Sequence, residues 1–250
     1  MRSLSAGLLA LFMLFCSTAA VGQALRVLTE ETHPLNYTEG GKVGGYSTGL
    51  LQATLRHAGL QAEIEVMPWR RAMQLTLLQP NTLLYSTARI PEREQQFLWI
   101  GPLSPINIYA YKLRKRTDLQ AASVHELARY RTGMVRQMAS SRVVLEQTGL
   151  SEEAFEFAPS SFLNLQKLLA GRLDYVILME WNFISVCKLQ KLDLDAFEPA
   201  FLIDGSRSLY FALNRDSDPA LVARLQSAWD VVQKSGLPQR LRQQYLRRAD

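Results

Sequence analysis

The sequence predicts an α/β fold of two lobes joined by two crossing strands. Three observations lead to this prediction. Short apolar segments typical of strands alternate with amphipathic segments typical of helices along most of the chain. A β-rich segment after Pro105 leads out of this first α/β series, and a second series follows it. A further β-rich segment, residues 209–214, is placed to return the chain to the first lobe.

The composition is that of an ordinary globular protein. The chain has 250 residues, of which 48% are hydrophobic and 20% are charged, which suits one large domain or two lobes. Neither a block of like charges nor a solenoid repeat interrupts it. The formal net charge of +5 is mildly basic, and the basic loop 112–116 has no interleaved aromatic residues. Nucleic acid is therefore not expected as a partner.

The first residues have the pattern of a secretory signal peptide, 1–24. Arg2 precedes the apolar run LLALFMLF, and small residues follow through Ala24. The run is too short to span a membrane, so an exported protein without stable membrane insertion is expected. A lipoprotein interpretation would make Cys16 the lipidated residue, but Phe15 is bulky where the lipidation motif requires a small residue. Cleavage near Ala24 removes Arg2 and lowers the net charge from +5 to +4.

Cysteine and histidine usage argues against disulfides and metals. After cleavage Cys187 is the one remaining cysteine, so an intramolecular disulfide cannot form. His33, His57 and His125 are scattered without the spacing of metal ligands. No metal site and no cofactor are predicted.

The first series runs strand, helix, strand, helix, strand. The predicted elements are strand 25–29, a polar turn over 33–45, a helix that stops at Gly59, strand 62–66, helix 69–78 and the central strand 83–86. This alternation predicts a largely parallel sheet with helices on its faces and a site at one edge.

The second series begins after Pro105. The predicted elements are strand 106–112, helix 125–130, strand 132–135, helix 140–147, strand 155–158, helix 162–169, strand 175–179, helix 183–192 and strand 209–214. The tail 219–246 is amphipathic helix, broken at Gly236 and Pro238. The predicted lobes are 25–105 with 205–250, and an inserted lobe 106–204.

The stretch 81–103 is the best candidate for the site. Its strand delivers Ser86, Thr87, Arg89 and Arg93 to the edge of the predicted sheet, where ligands of open α/β sheets bind. An arginine there suits a carboxylate, because its planar fork donates two parallel hydrogen bonds. On this stretch alone, the alternative of two solvated turn arginines beside acidic neighbours is favoured, since charged residues are mostly exposed.

The order of several motifs resembles a known family. HPLNYTEGGKVGGYSTGLL, VMPWRRAM, STARIPERE, FLWIGPL and AGRLDYVIL follow one another as in the bacterial periplasmic solute-binding proteins of the polar-amino-acid family. The resemblance covers essentially the whole chain after the signal. It implies a two-lobed periplasmic-binding-protein fold with two crossing hinge strands, a monomer in the periplasm, a small-molecule ligand, and an ABC permease or membrane sensor as partner.

The resemblance also implies ligand-binding residues in the first lobe. Arg93 matches the arginine that binds the ligand's α-carboxylate, and Ser86 and Ala88 match positions that contact the ligand from the third strand, Ala88 through its backbone. Trp69 matches a residue that packs on the ligand, although a core tryptophan is an equal alternative. Tyr37 is expected to line the cleft or to cover the core.

The second lobe departs from the family pattern. Amino-acid binders place an aspartate for the ligand ammonium where this chain has Met179, and Glu180 stands next to it. Successive strand residues face opposite ways, so Glu180 does not simply replace that aspartate. Arg136 is a candidate for a second anion contact. These departures argue against a plain amino-acid ligand.

Three classes of function compete at this point. The first and preferred class is a binding protein for a small carboxylated solute, without catalytic residues. The second is an enzyme on the same scaffold, of the cyclohexadienyl dehydratase type, for which Glu180 would be the general acid. The third is a sensory ligand-binding module that serves no transporter.

Overall fold

The computed structural model describes residues 24–136 and 138–246. The predicted signal peptide with Arg2 and Cys16 lies outside the described residues, apart from Ala24, and so do Gln137 and residues 247–250. The chain forms two five-stranded sheets with helices packed on each. Within the described ranges, no helix is both long and apolar enough to cross a membrane.

The first lobe contains one of these sheets, a hairpin and four helices. Its strands are β1 (Arg26–Thr29), β2 (Tyr37–Glu39), β3 (Lys42–Gly44), β4 (Ile64–Val66), β5 (Thr82–Ala88), β6 (Phe97–Pro105) and β12 (Ser208–Asn214). Its helices are α1 (Tyr46–Ala58), α2 (Trp69–Leu78), α6 (Pro219–Lys234) and α7 (Leu237–Leu246). The sheet has the order β4-β1-β5-β12-β6, and β2 pairs with β3.

The second lobe contains the other sheet and three helices. Its strands are β7 (Ile108–Leu113), β8 (Thr132–Val135), β9 (Glu156–Ala158), β10 (Tyr175–Met179) and β11 (Phe197–Asp204). Its helices are α3 (Ala139–Thr148), α4 (Ser161–Leu169) and α5 (Glu180–Leu189). The sheet has the order β11-β7-β10-β8-β9. Each lobe thus contains one five-stranded sheet.

Each sheet has one strand that runs against the other four. In the first sheet it is β12, which pairs antiparallel with both β5 and β6, and in the second sheet it is β7, which pairs antiparallel with β10 and β11. These are the strands that the chain enters on crossing from the other lobe. In each sheet the other four strands end at the edge that faces the crossings. The strand that follows a crossing starts at this edge, so it is antiparallel to the other four. The predicted largely parallel sheet is therefore confirmed, with the crossing strands as the exceptions.

The two crossings lie side by side. β6 ends at Pro105 and β7 begins at Ile108, while β11 ends at Asp204 and β12 begins at Ser208. The backbone N–H of Ile106 donates to the carbonyl of Arg207 at 2.9 Å, which ties one crossing to the other. The two lobes are thus joined by two short links that lie next to each other.

Several elements differ from those that the sequence predicts. The hairpin of β2 and β3 was expected as a turn, and β6 and β11 were not expected as strands. Gly101 and Pro102 interrupt the strand pattern of β6, which is tolerated because β6 is an edge strand. Helix α5 begins at Glu180 rather than at 183, so residues 180–182, to which the sequence analysis assigned no element, form its first turn.

Local chemistry explains where the first-lobe helices begin. α1 follows Gly45, whose φ of 116° and close approach to the Leu35 carbonyl, 2.4 Å from an added Cβ, leave room for glycine alone. α6 begins with Pro219 after Asp218, whose side chain accepts a hydrogen bond from the N–H of Ala220 at 2.9 Å. These residues define where α1 and α6 begin, and the two helices pack against each other.

A β-bulge distorts the central strand next to the cleft. Tyr210 pairs with Thr87 and Ala212 with Leu84, so Tyr85 and Ser86 together oppose a single residue of β12. Ser86 has a φ of 59°, a left-handed conformation that non-glycine residues adopt rarely. Bulges of this kind re-aim side chains beside functional sites. Here the bulge includes Ser86, close to the end of β5.

Helix α5 of the second lobe is anchored in the first lobe. The Trp181 side chain is 6% exposed and belongs to the hydrophobic core of the first lobe, where its ring lies 5.0 Å from that of Tyr46. Its indole N–H donates to Ser104 Oγ at 3.0 Å. The guanidinium of Arg242, on α7, stacks over the same indole at 5.2 Å and pairs with Glu180 Oε2 at 2.5 Å. We call Glu180, Trp181, Ser104 and Arg242 the interlobe anchor.

The ion pair of the interlobe anchor should contribute measurably to stability. Its side chains are 24% and 17% exposed for Arg242 and Glu180, so water screens the pair only in part. Replacing Arg242→Met keeps much of the contact with Trp181 but leaves the Glu180 carboxylate with Asn107 alone. We expect a loss of about 1 to 3 kcal/mol in the free energy of unfolding, measured by urea denaturation. The exposed Arg240 of the same helix is the matched control, and an equal loss in Arg240→Met would contradict a specific role.

At Ser86 we expect glycine to give a more stable protein than alanine, which is unusual for a strand position. Both Ser86→Gly and Ser86→Ala remove the Ser86 hydroxyl, but glycine alone adopts a φ of 59° without strain. We expect Ser86→Gly to be more stable than Ser86→Ala by about 1 kcal/mol, the reverse of the ordinary order in strands. Urea denaturation of the two variants measures this difference, and a more stable alanine variant would show that the position is unstrained.

Candidate functional site

A cavity of about 560 Å³ lies between the two lobes, at the ends of the strands. It is lined by strand-end residues of both sheets and by residues of both crossings. The charged and polar lining residues are Glu30, Thr32, His33, Ser86, Arg93, Asn107, Arg142, Asn182, Asp204 and Arg207. The apolar lining residues are Leu35, Trp69, Ala88, Ile90, Ile106, Ile108, Met138, Ala139, Val143, Met179, Trp181 and Leu209. This is the place where open α/β sheets bind ligands.

Arg93 lines this cavity from the first lobe and forms no ion pair with any of the described residues. It ends the short 3₁₀ turn Pro91–Arg93 after β5, and its Nη1 donates to the Ala88 carbonyl at 3.3 Å. Its guanidinium stacks over the Trp69 ring at 5.2 Å. Burial lowers the pKa of the guanidinium from its ordinary value, but an arginine keeps its charge at neutral pH. The cavity therefore contains a fixed, partly desolvated positive charge whose remaining donors are free for a ligand.

Arg89 shows the contrasting environment only four residues away. Its guanidinium makes a two-pronged contact with the Glu94 carboxylate at 2.9 and 2.5 Å, and it stacks on Trp99 and Tyr210. It does not line the cavity. The donors of Arg89 are thus already occupied by the protein. Of the two arginines of this stretch, Arg93 is the one available to an anion.

Ser86, Ala88 and Trp69 lie in the cavity wall with Arg93. Ser86 Oγ donates to Asn36 Oδ1 at 2.5 Å, and the Asn36 side-chain amide donates in turn to the backbone carbonyl of Glu30. Asn36 is fully buried. This chain of hydrogen bonds joins the end of β1 to the end of β5 and fixes both strand ends. The structure therefore brings together four of the residues that the sequence singled out.

Glu30 is the acidic residue of the first-lobe wall. It follows β1 directly, and its side chain is half-buried in the cavity lining. Burial raises the pKa of its carboxyl group above the ordinary value. A carboxyl group in this state gains from a ligand that brings a positive charge. The same strand-end argument that selected Ser86 would have found Glu30 in the sequence.

The second-lobe wall is mainly apolar. Ile108, Met138, Val143, Met179 and Trp181 line it, with Arg142 of α3 and Asp204 of β11 as its charged residues. Three polar side chains of this wall form hydrogen bonds within the protein. Asn107 donates to Glu180 at 3.0 Å, Asn182 accepts from Ser161 at 2.6 Å, and Asp204 accepts two hydrogen bonds from Ser206. This wall thus combines apolar side chains with the charged groups of Arg142 and Asp204.

Two second-lobe residues that the sequence nominated lie elsewhere. Arg136 is exposed, pairs with Glu152 at 2.8 Å and stacks on Phe157, and it does not line the cavity. Arg142, in the first turn of α3, lines the cavity where Arg136 was expected. Glu180 is held by Arg242 and Asn107 in the interlobe anchor and is also absent from the cavity lining. The reason is that α5 begins at Glu180, which directs this side chain away from the sheet end.

Tyr37 also lies outside the cavity lining. It is in the hairpin strand β2, and its ring packs on that of His33 with centroids 4.5 Å apart. His33 lines the cavity instead, and its Nδ1 lies 3.2 Å from Ser185 Oγ of the second lobe. Burial, reinforced by the charge of Lys188, lowers the pKa of the His33 imidazole. No sequence pattern predicts this contact, because it depends on the packing of α5 against the first lobe.

Known structures share this architecture. The probable amino-acid ABC transporter extracellular-binding protein of Bacillus subtilis superposes with a TM-score of 0.72 at 16% identity, over 90% of this chain and 98% of that one. The second substrate-binding domain of Lactococcus lactis GlnP, in an open conformation, gives 0.71 at 14% identity over 91% and 97%. A histidine kinase sensor domain similar to periplasmic binding proteins gives 0.65 at 17% identity over 90% and 96%. These identities are low, so the likeness concerns the fold.

The sequence itself identifies the family. A search of curated protein sequences gave no match. The family model of the bacterial extracellular solute-binding proteins, family 3, matches residues 25–248, which is nearly the whole chain after the predicted signal. The match includes both lobes and both crossings. The chain therefore belongs to family 3 of the bacterial extracellular solute-binding proteins.

Proposed function

We propose that this protein captures a small carboxylated solute in the cavity between its lobes and delivers it to an ABC permease or a membrane sensor. The observation that carries the proposal is Arg93, a cavity arginine that forms no ion pair within the described chain and stacks on Trp69. Its planar fork matches a carboxylate, and charge-assisted hydrogen bonds are about twice as strong as neutral ones. Trp69 offers an apolar face beside the same anion, and the end of β5 supplies polar groups.

Binding is better supported than catalysis. A dehydratase of the kind considered above needs a general acid within reach of its substrate, and Glu180 was its candidate in the second lobe. Glu180 is engaged by Arg242 and Asn107 and does not line the cavity. The proposed role therefore uses the cavity for recognition, with the paired crossings as the hinge about which the lobes close.

Transport and sensing share this ligand-binding step. The similar structures include substrate-binding proteins of amino-acid transporters and one histidine kinase sensor domain, so the fold suits either partner. In both cases the solute acts by holding the lobes in one arrangement that a membrane protein recognises. The lobe surfaces, and not the cavity, would then differ between the two roles.

Arg93 substitutions test the proposed anion contact directly. The protein without residues 1–24 is screened by thermal shift against amino acids, dicarboxylates, oligoamines and aromatic acids, since a ligand specific to the folded state raises its melting temperature. Titration calorimetry of the solute so found should show weaker binding for Arg93→Lys, which loses the fork. Arg93→Ala should lose more, about 2 to 5 kcal/mol of binding free energy.

Arg89→Ala is the matched control. Its guanidinium is paired with Glu94 outside the cavity, so its loss should leave the affinity for the solute unchanged. Melting temperatures without ligand show whether either variant alters the fold. Equal affinity of wild type and Arg93→Ala, or a larger loss in Arg89→Ala, would contradict the proposed anchor. A screen in which only oligoamines stabilise the protein would contradict a carboxylated solute.

Export to the periplasm is the second part of this proposal. The pattern of residues 1–24 predicts cleavage near Ala24, so the exported protein should begin close to Leu25. Leu25 is the start of the described core, with 8% exposure, and of the family match. N-terminal sequencing of material from a periplasmic extract measures the cleavage site. An N-terminus at an acylated Cys16 would show a lipoprotein instead.

A further inference from the structure

Helix α5 attaches the second lobe to the first outside the two crossings. Trp181 and Ser185 lie four residues apart, so they occupy one face of this helix. Trp181 belongs to the interlobe anchor and packs in the core of the first lobe. Ser185 is 7% exposed, and its Oγ lies 3.2 Å from Nδ1 of His33. This face of α5 therefore adds noncovalent contacts between the lobes to the covalent links of the crossings.

Both contacts lead to the C-terminal helix α7. Arg242 of this helix forms the stacking contact and the ion pair of the interlobe anchor. Tyr245, one helical turn further on, is hydrogen-bonded to Tyr37. The ring of Tyr37 packs in turn on His33, with centroids 4.5 Å apart. Leu241 and Tyr245 pack against the core of the first lobe, so α7 itself is fixed there.

A rotation that moves α5 away from the first lobe has to break these contacts. It withdraws Trp181 from the core, which exposes a buried indole to water and separates its N–H from Ser104. It also separates the guanidinium of Arg242 from the carboxylate of Glu180, and both side chains are partly buried. Opening of the lobes at α5 therefore costs free energy even when no ligand is bound.

We propose that the interlobe anchor holds the two lobes together in the ligand-free protein, and that α7 is the element that keeps the anchor in place. The inference goes beyond the proposed function and takes from it only the hinge at the crossings. It assigns a role to α7, none of whose described side chains lines the cavity. A solute then meets an arrangement of the lobes that is already populated, so closure does not reduce its affinity.

Spin labels on the two sides of the cavity measure the arrangement of the lobes. Arg70 in α2 and Glu146 in α3 are exposed, and both helices contribute residues to the cavity lining. Cys187 stays unlabelled, because it is fully buried and burial raises the pKa of its thiol to about 12.

The protein without residues 1–24, labelled at Arg70→Cys and Glu146→Cys, is measured by double electron–electron resonance. It is first unfolded and refolded to remove any bound solute. Without added solute, we expect a single narrow distribution of the distance between the two labels.

Variants of the interlobe anchor should open the lobes. Arg242→Met and Glu180→Gln should each broaden the distribution and shift its mean to a longer distance. The shift should be larger in Arg242→Met, which also loses the charge that stacks over Trp181. The double variant should match Arg242→Met alone, because the two side chains act through one ion pair. Arg240→Met is the matched control, since Arg240 is exposed on the same helix, and it should leave the distribution unchanged.

Urea denaturation of each labelled variant shows that it is folded under the conditions of the distance measurement. A broad distribution in the protein with an intact anchor overturns the inference. Unchanged distributions in Arg242→Met and Glu180→Gln overturn it as well, and so does equal broadening in Arg240→Met.

These outcomes are separate from those of the proposed function, because no solute is present in the distance measurement. Arg93→Ala should leave the distance distribution unchanged. If Arg93→Ala binds solute as tightly as wild type while the distribution is narrow, the proposed anion contact fails and the role of the interlobe anchor stands. If the distribution is broad and Arg93→Ala loses binding, the inference fails and the proposed function stands.

Discussion

The insertion of Trp181 into the core of the first lobe is the contact on which the arrangement of the two lobes depends. Trp181 belongs to the second lobe by sequence, yet its ring packs on Tyr46, bonds to Ser104 and lies beneath the guanidinium of Arg242. The same side chain lines the cavity. The buried indole of Trp181 therefore connects the cavity wall to helix α7. The ion pair between Glu180 and Arg242 reinforces this contact.

The protein separates its charged groups into those that stabilise the fold and those that remain for a ligand. Arg89 and Glu94 satisfy each other, Asp174 is held by Arg131 and Arg116, and Glu180 is held by Arg242. Arg93 and Glu30 form no ion pair with the described part of the chain, although burial has removed part of their hydration. Leaving charges in this state lowers stability, and such positions are typical of functional sites.

Several features that lower stability occur together at the end of β5. The bulge at Tyr85 and Ser86 and the left-handed conformation of Ser86 are both unfavourable for a strand, and they occur directly before the turn that bears Arg93. The buried Asn36 compensates by bonding Ser86 and the Glu30 backbone. The neighbouring ends of β1 and β5 thus form one rigid surface, which suits recognition of a small solute better than a mobile loop would.

Local periodicity predicted the α/β class and the two series of elements, and the position at a strand end selected Ser86 and Arg93 as candidates. Ala88, Trp69 and the choice of Arg93 over Arg89 followed from the resemblance to the family. The second wall depends on tertiary packing. Arg136 and Arg142 are six residues apart, and which of them faces the cavity depends on how α3 packs on its sheet. Glu180 and Trp181 are adjacent, and their partners Arg242 and Ser104 lie more than 60 residues away. Contacts over such distances in sequence leave no periodic signal, so the removal of Glu180 from the cavity could not be predicted.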